Sequence, residues 1–172
     1  MLRNRPTLRC CGNALMLDMV HGSAVAIDGN GLLLLGPSGS GKSDLALRLI
    51  DRGAKLICDD ILHIESCNGL PQLTIAPNIA GKIEVRGIGI CPIDFVDCAP
   101  LRLIVQFAQD VDRMPPAHQS ITIAGYSVPM FKLDPFQASS ALKVEWALRS
   151  VIDAGLHPVA NADATSNESV TM

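Results

Sequence analysis

Residues Gly36-Pro37-Ser38-Gly39-Ser40-Gly41-Lys42-Ser43 meet the pattern G-x-x-x-x-G-K-[ST]. This pattern constrains the fold because it requires a strand before it and a helix after it. Both are legible. Residues 32–35 are four consecutive leucines, as in a short strand buried on both faces. Residues 43–52 carry Leu45, Ala46, Leu49 and Ile50 at helical spacing, and Gly53 stands at the usual stop position. The glycines let the backbone curl until successive N–H groups converge on phosphate oxygens. The helix that begins there adds its N-terminal dipole. Lys42 supplies a point charge for the β and γ phosphates, and the Ser43 hydroxyl an oxygen for Mg²⁺. Residues 36–43 are thus expected to hold a nucleoside triphosphate, ATP in the simplest reading, with Mg²⁺.

The remaining chain reads as mostly strands. Asp28-Gly29-Asn30-Gly31 predicts a hairpin turn between residues 25–27 and 32–35. Further strands are predicted at 55–58, 61–65, 73–76, 83–90 and 101–107. A late hairpin is expected around Gly125, from 120–124 and 127–133, and a second long helix over 138–152. Strands outnumber helices and only one βα crossover is plain. That predicts an α/β fold, a phosphate-loop domain with a mixed β-sheet and helices packed on it. Residues 1–13 are expected as a loose N-terminal segment, 14–156 as the catalytic domain, and the small polar residues of 157–172 as a disordered tail.

Net charge is −3 and aromatic residues make up 3% of the chain, so a basic stripe and stacking platforms for nucleic acid are both lacking. No apolar run is long enough to span a membrane. The six cysteines, at 10, 11, 58, 67, 91 and 98, form no C-x-x-C pair, which leaves a zinc site unsupported. Scattered thiols in a phosphate-loop protein predict a cytoplasmic location. Cys58 and Cys91 read as small buried hydrophobes.

Lys55-Leu56-Ile57-Cys58-Asp59-Asp60 ends a strand in two carboxylates. Ligands of open α/β sheets sit at that strand edge. One carboxylate there suits Mg²⁺; a second suits proton transfer to or from an attacking hydroxyl. Adjacent strand residues point to opposite faces, so both serve one site only if the chain turns at Asp60.

Four segments in order, Val20-His21-Gly22, residues 36–44, residues 56–60 and Ile83-Glu84-Val85-Arg86-Gly87-Ile88-Gly89-Ile90, resemble the catalytic domain of HPr kinase/phosphorylase. The Glu-x-Arg-Gly-x-Gly segment is distinctive of that family. The resemblance covers residues 14 to 150 and implies a shortened form without the family's N-terminal domain. It implies a fold related to phosphoenolpyruvate carboxykinase and a hexameric assembly. It also implies an ATP-dependent serine kinase acting on HPr, the phosphocarrier protein of the sugar phosphotransferase system. The reverse reaction, phosphorolysis to pyrophosphate, is implied as well. By position, Asp59 matches the general base, Asp60 and Glu84 match metal-associated carboxylates beside Ser43, and His21 and Arg113 match further catalytic residues. The chain departs from the family pattern at Pro37, at Met114-Pro115-Pro116 after Arg113, and at Leu133-Asp134-Pro135-Phe136, where the family has a basic Gly-Arg-Asn loop.

Two other readings compete. A small-molecule kinase acting on nucleotides shares the opening Gly36-Pro37-Ser38-Gly39, but needs arginine clamps and usually a tyrosine, and the chain has one tyrosine. A non-catalytic nucleotide sensor would bind without transferring phosphate.

Overall fold

The leucine run forms β2 (Asn30–Leu35) in the middle of an eight-stranded mixed sheet, ordered β10-β9-β7-β2-β1-β3-β4, with β8 paired to β9. The computed structural model describes residues 15–75, 80–116 and 119–161. Around β2 lie β1 (Leu15–Ile27), β3 (Lys55–Cys67), β4 (Leu70–Ile75) and β7 (Cys98–Phe107). Further out are β8 (Ser120–Ile123), β9 (Tyr126–Leu133) and the short β10 (Val159–Ala160). A separate two-stranded sheet joins β5 (Lys82–Val85) to β6 (Gly89–Pro92). The helices are α1 (Lys42–Asp51) and α2 (Ser140–Asp153). The expected mixed sheet with helices on it is what the chain adopts.

Burial explains why β2 is central. Leu32 and Leu34 join one apolar cluster with residues of α1 and α2, while Leu33 joins a second cluster on the opposite face. All three are fully buried. Each such leucine contributes roughly 1.5–3 kcal/mol relative to exposure, so the strand that leads into the phosphate loop is firmly anchored. The second cluster lies within a closed circuit, because β4 also pairs with β7 and so completes the ring β7-β2-β1-β3-β4. Gly31 sits where that ring is tight: an added Cβ would meet the Pro100 carbonyl oxygen at 2.9 Å.

Turn chemistry matches the sequence. Asp28 and Gly29 have φ of 49° and 79°, which is the primed turn that Asp-Gly favours, and Ala124 and Gly125 repeat it at 49° and 79°. Gly53, at φ 108°, ends α1 while Gly53 N and Ala54 N cap the carbonyls of Ile50 and Leu49.

Four expectations need correction. Residues 55–58 and 61–65 are one strand, β3, not two. Residues 83–90 are not a single strand but the β5–β6 hairpin, turning at Arg86–Ile88, where Gly87 takes φ 83°. The tail expected from His157 is ordered as far as Asn161. Val159 and Ala160 add to β9, and Asn161 N donates to the Gly125 carbonyl at 2.8 Å. The expectation for 1–13 and the rest of the tail lie outside the described residues. Finally, Cys67 is disulfide-bonded, against the reading of reduced thiols, while Cys58 is buried and donates its thiol hydrogen to the Ile61 carbonyl at 2.7 Å. No helix among the described residues is long and apolar enough to cross a membrane.

The helices are tied together by one ion pair. Arg52 Nε and Nη2, just past α1, donate to Glu145 Oε1 and Oε2 of α2 at 2.6 and 2.9 Å. Those bonds hold the Glu145 carboxyl below its ordinary value, with partial burial opposing the shift. A carboxyl lowered in the folded state stabilises above its unfolded pKa, and that stability is lost as pH falls through the folded one. Glu145→Gln is expected to lower the urea midpoint modestly at pH 7, as befits a surface pair. The gap to wild type should narrow as pH falls below the ordinary glutamate range. A gap that does not narrow on acidification would mean that packing, not charge, is what Glu145 contributes.

Candidate functional site

Sheet direction gathers the site. β2 runs parallel to β7, and β7 parallel to β9, with Leu35 level with Gln106 and Phe107 level with Leu133. The segments that follow these strands, 36–41, 108–116 and 134–139, therefore leave from one edge of the sheet. β1 is antiparallel to both β2 and β3, so His21-Gly22-Ser23 and Asp59-Asp60 reach the same edge. This is the carboxyl edge at which open α/β sheets bind ligands.

The phosphate loop takes the shape that its glycines permit. Gly39 and Gly41 have φ of 74° and 91°, and the helix starts at once, with Leu45 N donating to the Gly41 carbonyl at 2.9 Å. Gly36 has no space for a side chain, since an added Cβ would meet Ser40 Oγ at 2.7 Å and Phe107 Cβ at 3.1 Å. Lys42 folds back over the loop and donates from Nζ to the carbonyls of Gly36 and Pro37, both at 2.8 Å. Ser40 Oγ is buried without a hydrogen-bond partner. An ammonium across the mouth of the loop and an unmet hydroxyl within it both fit a polyphosphate ligand.

Asp59 is the hub. Its Oδ1 accepts from Ser43 Oγ of α1 at 2.9 Å and from Ser23 Oγ of β1 at 2.6 Å. A regular ladder could not put it there. Val25 pairs with Leu56, which in strict alternation would set Cys58, not Asp59, opposite Ser23. The register instead slips between Ala24 and Val25, leaving Ile57 as the extra residue of a bulge, and Ser23 pairs with Asp59. The bulge turns Asp59 to the α1 face. The next residue, Asp60, has φ 92°, a left-handed conformation that costs a non-glycine residue about 1–3 kcal/mol. The strand nevertheless runs on through Asp60, which keeps its ladder place opposite Gly22. The Asp60 carboxylate projects into solvent and lies 3.8 Å from His21 Nδ1, both side chains being largely exposed.

Other expected site residues are not brought into contact. Ile83 and Val85 pack into the α1-side core, and Glu84 between them is exposed. Arg86 is exposed on the hairpin turn, and no ion pair joins it to Glu84. No three His, Cys, Asp or Glu side chains cluster as a metal site among the described residues. A hydrated Mg²⁺ held through one or two side chains needs no such cluster. Arg113 lies exposed in the loop after β7, on the site edge but without a hydrogen bond or ion pair among the described residues.

Two participants gave no sequence signal. Ser23 is significant only through the bulged register. Arg48 pairs with Asp44 at 2.9 Å and also donates to the carbonyls of Pro135 and Gln137, which fastens the 134–139 segment beside the phosphate loop.

The model of the HPr serine kinase C-terminal domain matches residues 15–150. The chain belongs to this family. It is 36% identical over 131 residues to an HPr kinase/phosphorylase of Clostridium botulinum (strain Eklund 17B / Type B), covering 66% of this chain and 41% of that protein. The HPr kinase/phosphorylase of Treponema pallidum (strain Nichols) is 32% identical over 128 residues, covering 66% and 40%. The chain thus spans about two-fifths of the length of these curated relatives. The solved HPr(Ser) kinase/phosphatase of Coxiella burnetii superposes with a TM-score of 0.71 at 26% identity, over 80% of this chain and 98% of that one. The α/β architecture with its mixed sheet is therefore the family fold.

Proposed function

We propose that the chain is an ATP- and Mg²⁺-dependent serine kinase and phosphorylase whose protein substrate is HPr. The observation that carries this reading is Asp59, held by Ser23 and Ser43 at the mouth of the phosphate loop. The bound Mg²⁺-nucleotide would supply an electrophilic phosphoryl group. Residues 36–43 and Lys42 bind and orient its phosphates, with the α1 dipole behind them. Ser43 can offer an oxygen lone pair to the cation while its hydroxyl still donates to Asp59. Asp59 would accept the proton of the acceptor serine hydroxyl as its oxygen bonds to the γ-phosphorus and the bond from that phosphorus to the bridging oxygen breaks, releasing ADP. In reverse it returns that proton to the departing serine oxygen while inorganic phosphate attacks phosphoserine and pyrophosphate is released. His21 and Asp60, exposed beside it, suit contact with the incoming protein and the hydrated metal. Glu84 and Arg113 complete the set by family position.

The hexamer is proposed on the family resemblance alone. A cytoplasmic location is proposed from the phosphocarrier substrate, and the Cys67 disulfide argues the other way. A nucleotide-acceptor kinase is disfavoured: the arginines in and just past α1 that could clamp a second phosphate, Arg48 and Arg52, are engaged with the 134–139 carbonyls and Glu145. The test is to incubate the purified chain with ATP, Mg²⁺ and the HPr of its own organism. Mass spectrometry should find phosphoserine on HPr, and added phosphate should reverse it with release of pyrophosphate. Unmodified HPr, from a folded chain that still binds ATP, would remove HPr as the substrate.

A further inference from the structure

The segment after β9, residues 134–139, is tied down by side-chain hydrogen bonds. Asp134 Oδ1 accepts Phe136 N–H at 3.0 Å and its Oδ2 accepts from Gln137 Nε2 at 3.3 Å. Ser140 Oγ donates to the Asp134 carbonyl at 2.7 Å. From the other side, Arg48 of α1 grips the carbonyls of Pro135 and Gln137. Helix α1 begins in the phosphate loop, so these bonds lock segment and loop to one another.

The result is a fixed aromatic ring beside the cradle. A Cβ added to Gly41 would meet Phe136 Cζ and Cε1 at 3.3 and 3.2 Å, and Pro135 Cβ at 3.8 Å. The ring therefore touches the last glycine of the loop along its edge. Yet Phe136 is 71% exposed, although the chain has only four phenylalanines to spend on its core. An exposed ring costs hydration free energy, and here five hydrogen bonds to its own segment hold it in place. Gly41 directly precedes Lys42-Ser43-Asp44, the helix N-terminus that cradles phosphates in loops of this pattern.

We propose that Phe136 is the platform on which the purine base of the bound nucleotide stacks. This rests on the nucleotide-binding reading above and adds to it the residue that recognises the base. A π face next to the phosphate cradle takes a flat heterocycle without needing hydrogen bonds, so it favours a purine over bare polyphosphate.

The test is calorimetric binding to the whole chain, with Mg²⁺, of two probes, ATP and inorganic tripolyphosphate. Wild type should bind both. Phe136→Ala should weaken ATP about ten-fold, the scale of one lost base–aromatic stack, and leave tripolyphosphate unchanged. Phe136→Trp should restore ATP affinity and show fluorescence, beyond that of Trp146, quenched by ATP and not by tripolyphosphate. Because the ring is exposed, both variants should keep the wild-type melting temperature. Unchanged ATP affinity in Phe136→Ala, or equal weakening of the two probes, would overturn the proposal. Failure of wild type to bind either probe would instead overturn the nucleotide reading itself, and the base platform with it.

Discussion

Asp59→Asn is expected to lower phosphoryl transfer by about 10²–10⁴-fold, the range for loss of a positioned general base, with ATP affinity within a few-fold of wild type. The amide is nearly isosteric and can still accept the hydroxyl hydrogens of Ser23 and Ser43 through its oxygen. It cannot take a proton from an attacking serine. Geometry is thereby kept while the chemistry is removed, and a kcat loss without a matching KM change is the signature. Phosphorolysis should fall by a similar factor, because the same carboxyl protonates the leaving oxygen in reverse. Full turnover by Asp59→Asn would eliminate the general-base role. Loss of binding along with turnover would move Asp59 from proton transfer to metal holding. The two results are separated by measuring ATP binding and single-turnover transfer on the same preparation.

Lys42→Met should have the second large effect, a fall of about 10²–10³-fold in kcat/KM, as when one charge-stabilising donor is removed from a preorganised site. Lys42 Nζ now rests on the carbonyls of Gly36 and Pro37 at 2.8 Å each. These bonds keep the ammonium at the mouth of the loop, so little reorganisation is needed when a phosphate oxygen arrives. Methionine keeps the length and apolar volume of the stem without the charge. Unlike Asp59→Asn, this change should weaken ATP and tripolyphosphate together, because the lost attraction is to phosphate in the ground state as well. Thermal stability should barely move, since the head group sits at the loop surface. Retained tripolyphosphate affinity in Lys42→Met would show that the backbone and helix dipole carry the binding alone.

Much of this site was legible residue by residue. The phosphate loop was readable because its glycines, its lysine and its flanking apolar periods each answer a local requirement. The 28–31 and 124–125 turns were readable for the same reason: positive φ selects particular residue types within a few positions. The β5–β6 hairpin was misread as one strand because Arg86-Gly87-Ile88 sits within an apolar run, and the turn is marked only by glycines that also fit a strand end. The merging of 55–58 with 61–65 was missed because a left-handed Asp60 looks like a break in sequence yet still keeps its ladder position opposite Gly22.

Local chemistry along the chain was enough to establish the mixed α/β class and to point to the cradle and the carboxylate pair, since each depends on short-range periodicity and residue type. Which carboxylate faces the cradle was decided only in three dimensions. Register across β1 and β3 is a property of two distant segments, and a single bulged residue, Ile57, reverses which side chain meets Ser23 and Ser43. The same holds for Phe136, placed against Gly41 by parallel strands and by Arg48 from another element. Neither placement could be read from neighbours in the chain, because both arise from contacts between residues far apart in it.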